Sequence, residues 1–71
     1  MNQIIINREP VELYKILKFE GLVGTGGEAK IVIDEGMVQV NGQIELRRRN
    51  KIKNGDVIEF MGEQYTIVLE P

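Results

Sequence analysis

The hydrophobic period of the chain changes to two after Gly36, and that change sets the fold class. Before it, apolar residues recur at helical spacing: Leu13, Ile16 and Leu17, then Ala29, Val32 and Ile33. After it, Val38 and Val40 alternate with Met37 and Gln39, and the segments "VIEF" and "QYTIVL" continue as strands. A β-branched "QIII", Gln3 to Ile6, adds a short strand at the front. The order is therefore strand, two helices, then a run of strands, which is an α+β arrangement.

The local signals place the boundaries. Pro10 suits the first turn of the first helix, where its missing N–H costs nothing, and Gly21 ends that helix. Thr25 and Glu28 have capping-box spacing, with each side chain expected to satisfy the other's backbone N–H, and Gly36 closes the second helix. A connection of about four residues makes the helices a compact pair. Asn41-Gly42 is a turn signal. A two-residue turn would set Val40 against Gln43, whereas one extra residue sets Val40 against Ile44 and Val38 against Leu46, so a bulge is expected there. Asn54-Gly55-Asp56 and Gly62 mark further turns, with Asp56 bracing its own.

Seventy-one residues make one domain, 1–71, with one small core. The absence of cysteine removes disulfides and thiolate metal sites, which fits a cytoplasmic location. The absence of histidine removes the commonest general base and metal ligand, and the acidic residues are dispersed. An enzyme is not expected, nor a cofactor, a metal or a small-molecule substrate. The apolar runs are too short to span a bilayer, and the first ten residues do not form a secretion signal.

The charge distribution points elsewhere. Formal net charge is -2, yet Arg47, Arg48, Arg49, Lys51 and Lys53 crowd into "RRRNKIK" without an intervening acid. On an extended chain Arg47, Arg49, Lys51 and Lys53 point one way, roughly 6.6 Å apart. That is comparable to two rises of about 3.4 Å along a nucleic-acid strand. Ile52 points the other way and anchors the segment. A loop serving only solubility gains little from five mutually repelling charges. The glycine stretch "GTGGEA", Gly24 to Ala29, satisfies a degenerate dinucleotide fingerprint, but "FEGLV" before it is not a convincing strand. It is a flexible joint and helix cap, or a cap that also meets a phosphate with Lys30 one turn on. Lys15 and Lys18 suit an ordinary solvated helix face, and Phe60 and Tyr65 suit the core.

Taken in order, Gly21-Leu22, Thr25-Gly26-Gly27-Glu28-Ala29, Ile33-Asp34-Glu35-Gly36, Val38-Gln39-Val40-Asn41-Gly42 and Gly55-Asp56 resemble the motifs of the ribosomal protein S-four-like RNA-binding domain. The likeness extends over roughly four-fifths of the chain, and the ordered set is specific although each element is common. It implies the αL motif: two packed helices against a small, mostly antiparallel twisted sheet. Gly26 stands where the family usually carries an arginine, so that side-chain contact is missing, while Lys30 keeps a basic position after the alanine. "TGGEAK" and "ELRRRNK" look most like small stand-alone bacterial members.

The resulting expectation is a monomeric RNA-binding module for structured RNA, ribosomal or ribosome-associated. Arg47, Arg48, Arg49, Lys51 and Lys53 contact phosphates, with Lys30 and the helix start Thr25, Gly26 and Gly27 on the same face. The other reading is a protein-interaction adaptor whose basic face meets an acidic partner.

Overall fold

The computed structural model describes residues 2–71. Its elements are β1 (Asn2–Ile6), β2 (Val11–Glu12), α1 (Leu13–Phe19), α2 (Gly26–Asp34), β3 (Val38–Val40), β4 (Gln43–Ile44), β5 (Lys51–Ile52), β6 (Val57–Phe60) and β7 (Glu63–Leu69). Five strands form one sheet in the order β1-β7-β6-β3-β4, and β2 pairs with β5 in a separate two-stranded ladder. Among the described residues only β1 and β7 run parallel; the other pairs are antiparallel. The expected α+β arrangement, two packed helices with a mostly antiparallel sheet, is what the chain adopts.

The core follows the two periods. Leu13, Ile16 and Leu17 of α1 and Ala29 and Ile33 of α2 are buried against Val38, Ile58, Phe60 and Ile67 of the sheet. The spacing of three and four puts the helical residues on one face, and alternation does the same for the strands. Tyr65 is half-buried and packs against this cluster. Both helices end at a glycine with positive φ, Gly21 at 72° and Gly36 at 76°, a backbone region in which a β-carbon is strained.

Three local expectations change. Pro10 does not enter the first helical turn. Val11 and Glu12 extend to pair with Ile52 and Lys51, and α1 begins only at Leu13. The first N–H groups of α1 find their acceptors in the basic segment: Leu13 donates to the Asn50 carbonyl (3.0 Å) and Tyr14 to that of Arg48 (3.1 Å). A distant segment therefore fixes where this helix starts. The helices are joined by residues 20–25, a longer connection than the sequence suggests.

The bulge expected after β3 is absent. Val40 faces Gln43 and Gln39 faces Ile44 across a two-residue turn with positive φ at Asn41 and Gly42. Matching apolar faces constrains register only where both strands reach the core. Here β4 is an edge strand of two exposed residues, with Ile44 61% exposed, so the Asn-Gly turn alone sets the register.

Asn41 also ties that turn to the next. Its Oδ1 accepts from the Val57 N–H (2.9 Å) and its Nδ2 donates to Asp56 Oδ1 (3.1 Å). Asp56 is buried, and its Oδ2 accepts from the Lys53 N–H (2.9 Å), so it braces its own turn as its position suggests.

Candidate nucleic-acid interface

The basic segment ends on fixed points. The side chain of Ile52 is fully buried, and β5 is paired to β2. The turn after Lys53 is held by Asp56, by the Asn54 N–H donating to Glu9 (2.8 Å), and by Asn54 Oδ1 accepting from the Leu69 N–H (2.8 Å). Before these anchors the chain is not a continuous strand. Residues 48 and 49 form a turn, closed by the Asn50 N–H donating to the Arg47 carbonyl (3.2 Å). The expected row of four alternating cations is thus broken at its first two members. The cause is the helix above: the carbonyls of Arg48 and Asn50 turn toward the N–H groups of Tyr14 and Leu13, which an extended strand would leave unsatisfied.

Folding brings acids to cations that the sequence leaves unpaired. Arg47 meets Glu45 through Nε (2.9 Å) and Nη2 (3.2 Å), a two-point contact. Arg48 holds Asp34, in the last turn of α2, in the same manner, with Nε 3.0 Å from Oδ1 and Nη2 on Oδ2. Arg49 lies 3.7 Å from Glu12, and Lys53 lies 3.8 Å from Asp56. Lys51 faces Glu12 across the ladder. The cations favour the charged form of these acids. The hydrogen bond from Arg47 holds the Glu45 carboxyl below its usual range, and that from Arg48 does the same for Asp34. Glu12 is lowered by its hydrogen bond from Lys15, with Lys51 and Arg49 adding to the effect. All of these pairs are solvent-accessible at the cation, so an incoming anion can compete for each.

The second candidate region is the start of α2. Thr25 Oγ1 accepts from the Glu28 N–H (3.0 Å), as its spacing requires. The Glu28 carboxylate reaches one residue further back than expected and accepts from the Gly24 N–H rather than that of Thr25. Gly26 packs on α1: a β-carbon there would sit 3.8 Å from Lys18 Cδ and 4.0 Å from the Tyr14 ring. Lys30 extends over that ring, with Nζ 5.0 Å from its centroid.

The nine sequence-derived site residues therefore fall into two groups. Thr25, Gly26, Gly27 and Lys30 lie toward the start of α2, and Arg48 lies at its end on Asp34, roughly 12 Å along the helix at about 1.5 Å per residue. Arg47, Arg49, Lys51 and Lys53 continue from the Arg48 end. Tyr14 links the two: its N–H is bound to the Arg48 carbonyl and its ring lies under Lys30. The sequence reading missed Tyr14, and it assigned Lys18 to an ordinary solvated face. Among the described residues, no cluster of three or more potential metal ligands occurs, and no helix is long and apolar enough to cross a membrane.

Residues 4–68 match the model of the S4 domain. YbcJ of Escherichia coli K12, which bears the name of an RNA-binding protein, is 45% identical over 58 residues, 82% of this chain and 83% of YbcJ. RlbA of Bacillus subtilis, named for ribosome maturation, is 38% identical over 61 residues, 86% of each chain. The solution structure of Escherichia coli YbcJ, described as revealing an αL motif involved in RNA binding, superposes with a TM-score of 0.72 at 40% identity, over 96% of this chain and 87% of YbcJ. The crystal structure of 30S ribosomal protein S4e from Thermoplasma acidophilum gives a TM-score of 0.70 at 28% identity, over 84% of this chain and 32% of S4e.

Proposed function

This chain belongs to the S4 domain family, and from that premise we propose that it is an RNA-binding protein of the bacterial cytoplasm. It acts by binding rather than catalysis. Its target is structured RNA of the ribosome or of ribosome assembly, a reading supported by its likeness to YbcJ and to RlbA.

One observation carries the assignment of the surface. The five cations of residues 47–53 project from a segment whose backbone is bound to the start of α1 and whose Ile52 is locked in the core. A phosphate strand therefore meets charges at fixed positions, with little ordering left to do on binding. These contacts position RNA without reading bases. Lys30, Thr25, Gly26 and Gly27 extend the contact along α2, and recognition rests on helix shape and phosphate geometry. The expected active form is a monomer.

The test is a salt titration of binding to a ribosomal RNA hairpin and to duplex DNA of equal length. About three to five phosphate contacts give a log–log slope of about −2 to −4, with RNA bound more tightly. Binding to neither at low salt overturns the RNA reading.

A further inference from the structure

We propose that the free edge of β1, with the cleft between it and α1, is a docking site for an extended, positively charged segment of a partner protein, which adds to the sheet as a further strand. The site lies at the opposite edge of the sheet from β4 and does not draw on the RNA-binding reading.

Among the described residues β1 pairs on one side only, with β7. The Glu70 N–H, just past β7, donates to the Ile6 carbonyl at 2.7 Å. Backbone groups of successive strand residues point to opposite sides, so those of Asn2 and Ile4 also face β7, while the N–H and C=O of Gln3 and Ile5 face the open side. Sheets usually guard such an edge with a charge, a proline, a bulge or a very short strand. β4, at the other edge, is only two residues long. β1 has none of these guards: its sequence is NQIII, and its five pairs with β7 run without interruption.

The side chains beside this edge suit a strand as well. Ile4 and Ile6 are buried on the helix side of the sheet, and Ile5, on the other face, is 54% exposed. Between β1 and α1 lies an open cleft of about 540 Å³, walled by Ile4, Ile6, Val11, Ile16 and Phe19. Phe19 is 69% exposed, so the cleft has an apolar wall that the fold itself leaves uncovered. A strand laid beside β1 places alternate side chains in the cleft and pairs its backbone with Gln3 and Ile5. A small molecule could occupy the cleft but would leave those backbone groups to water.

Charge selects the kind of strand. Glu20 and Glu70 line the cleft, and Glu63 stands at the start of β1, with Asn2 Nδ2 3.5 Å from its carboxylate. Among the described residues none of the three has a cation within 4 Å. Lys15 also lines the cleft, but Glu12 holds it at 3.0 Å. Arg8 is the remaining cation there, so three uncompensated acids stand against one uncompensated base. A phosphate strand is repelled by this edge, and a basic segment is drawn to it. A second copy of the chain would bring the same acidic edge against its like. The fitting occupant is therefore an extended segment in which apolar residues, set into the cleft, alternate with lysine or arginine.

The experiment uses the full chain and a labelled peptide of about seven residues that alternates lysine and valine, with fluorescence anisotropy for affinity and backbone amide NMR for the site. The peptide binds, shifts the amides of Gln3, Ile5 and Phe19, and leaves Arg47–Lys53 unmoved. A peptide alternating glutamate and valine binds at least about tenfold more weakly. The lysine peptide methylated at its backbone nitrogens can no longer donate to the edge and loses binding. Glu20→Gln and Glu70→Gln, at exposed positions, each weaken binding about two- to fivefold, with thermal melts unchanged. Three results overturn the inference: no binding of the lysine peptide, equal binding by the glutamate or methylated peptide, or a chain that sediments as a dimer with the Gln3 and Ile5 amides already protected from exchange. The RNA reading stands in each case, since it rests on other residues.

Discussion

Replacing Asn41 with alanine tests how two turns are joined into one node. The substitution removes three things. The Val57 N–H loses its acceptor at 2.9 Å, in an exposed position worth about 0.5 kcal/mol. The Asp56 carboxylate loses a donor at 3.1 Å. Because Asp56 is only 8% exposed, water replaces that donor poorly, and a bond to such an acceptor is worth about 1.5 kcal/mol or somewhat more. Alanine must also hold the φ of 53° that Asn41 adopts, which adds about 1 kcal/mol. The sum is about 3 kcal/mol, against a total stability of about 4–10 kcal/mol for a chain of this length. At about 4–8 °C per kcal/mol, Tm falls by about 12–24 °C. Asn41→Gly keeps the backbone freedom and loses only the side chain, so its fall is smaller, by about 4–8 °C. Melts followed by far-UV circular dichroism measure both. A drop under about 4 °C for the alanine variant, or identical drops for alanine and glycine, refutes the reasoning.

Three further outcomes are expected. Asp34→Asn frees Arg48 from its carboxylate, so RNA binding tightens a few-fold at low salt in the anisotropy assay; weaker binding would mean that Asp34 serves to aim the arginine. Ile52→Ala opens the anchor beneath the basic turn and costs about 2–5 kcal/mol in urea unfolding. Glu12, Asp34 and Glu45 all have carboxyl groups held below their usual range by neighbouring cations. The stability that they contribute is complete above the ordinary carboxylate pKa and is lost as pH falls through the depressed values, so Tm declines below about pH 4. The decline is shallower in Asp34→Asn, and a parallel decline would remove that pair from the account.

What the sequence made legible is what local physics decides. Leu13, Ile16 and Leu17 could face only one way on a helix, and Gly21 and Gly36 stop helices because only glycine enters that backbone region without strain. Thr25 capped its helix from three residues away. Failures came where distant segments decide. Pro10 marked no helix start because β5 and the carbonyls of Arg48 and Asn50 fix that start from some forty residues away. The register after β3 departs from apolar matching because Ile44 lies on an exposed edge, where nothing requires its burial.

The candidate site divides in the same way. The concentration of charge at 47–53 and its Ile52 anchor could be read directly. Glu45, two residues before Arg47, was within reach of a local reading. The Asp34–Arg48 pair was not, since it joins the end of α2 to a turn beyond two strands. The place of Lys30 over Tyr14 depends on how the helices pack, which no local spacing encodes.

The central claim is that residues 47–53 and the adjoining helix pair are the RNA contact surface. Backbone amide NMR of the labelled chain, titrated with a ribosomal RNA hairpin at low salt, tests it most directly. The account predicts the largest shift changes at Arg47–Lys53 and at Thr25–Lys30, with the amides of β1 at the far edge of the sheet unmoved. Largest changes along β1, with Arg47–Lys53 silent, would contradict it.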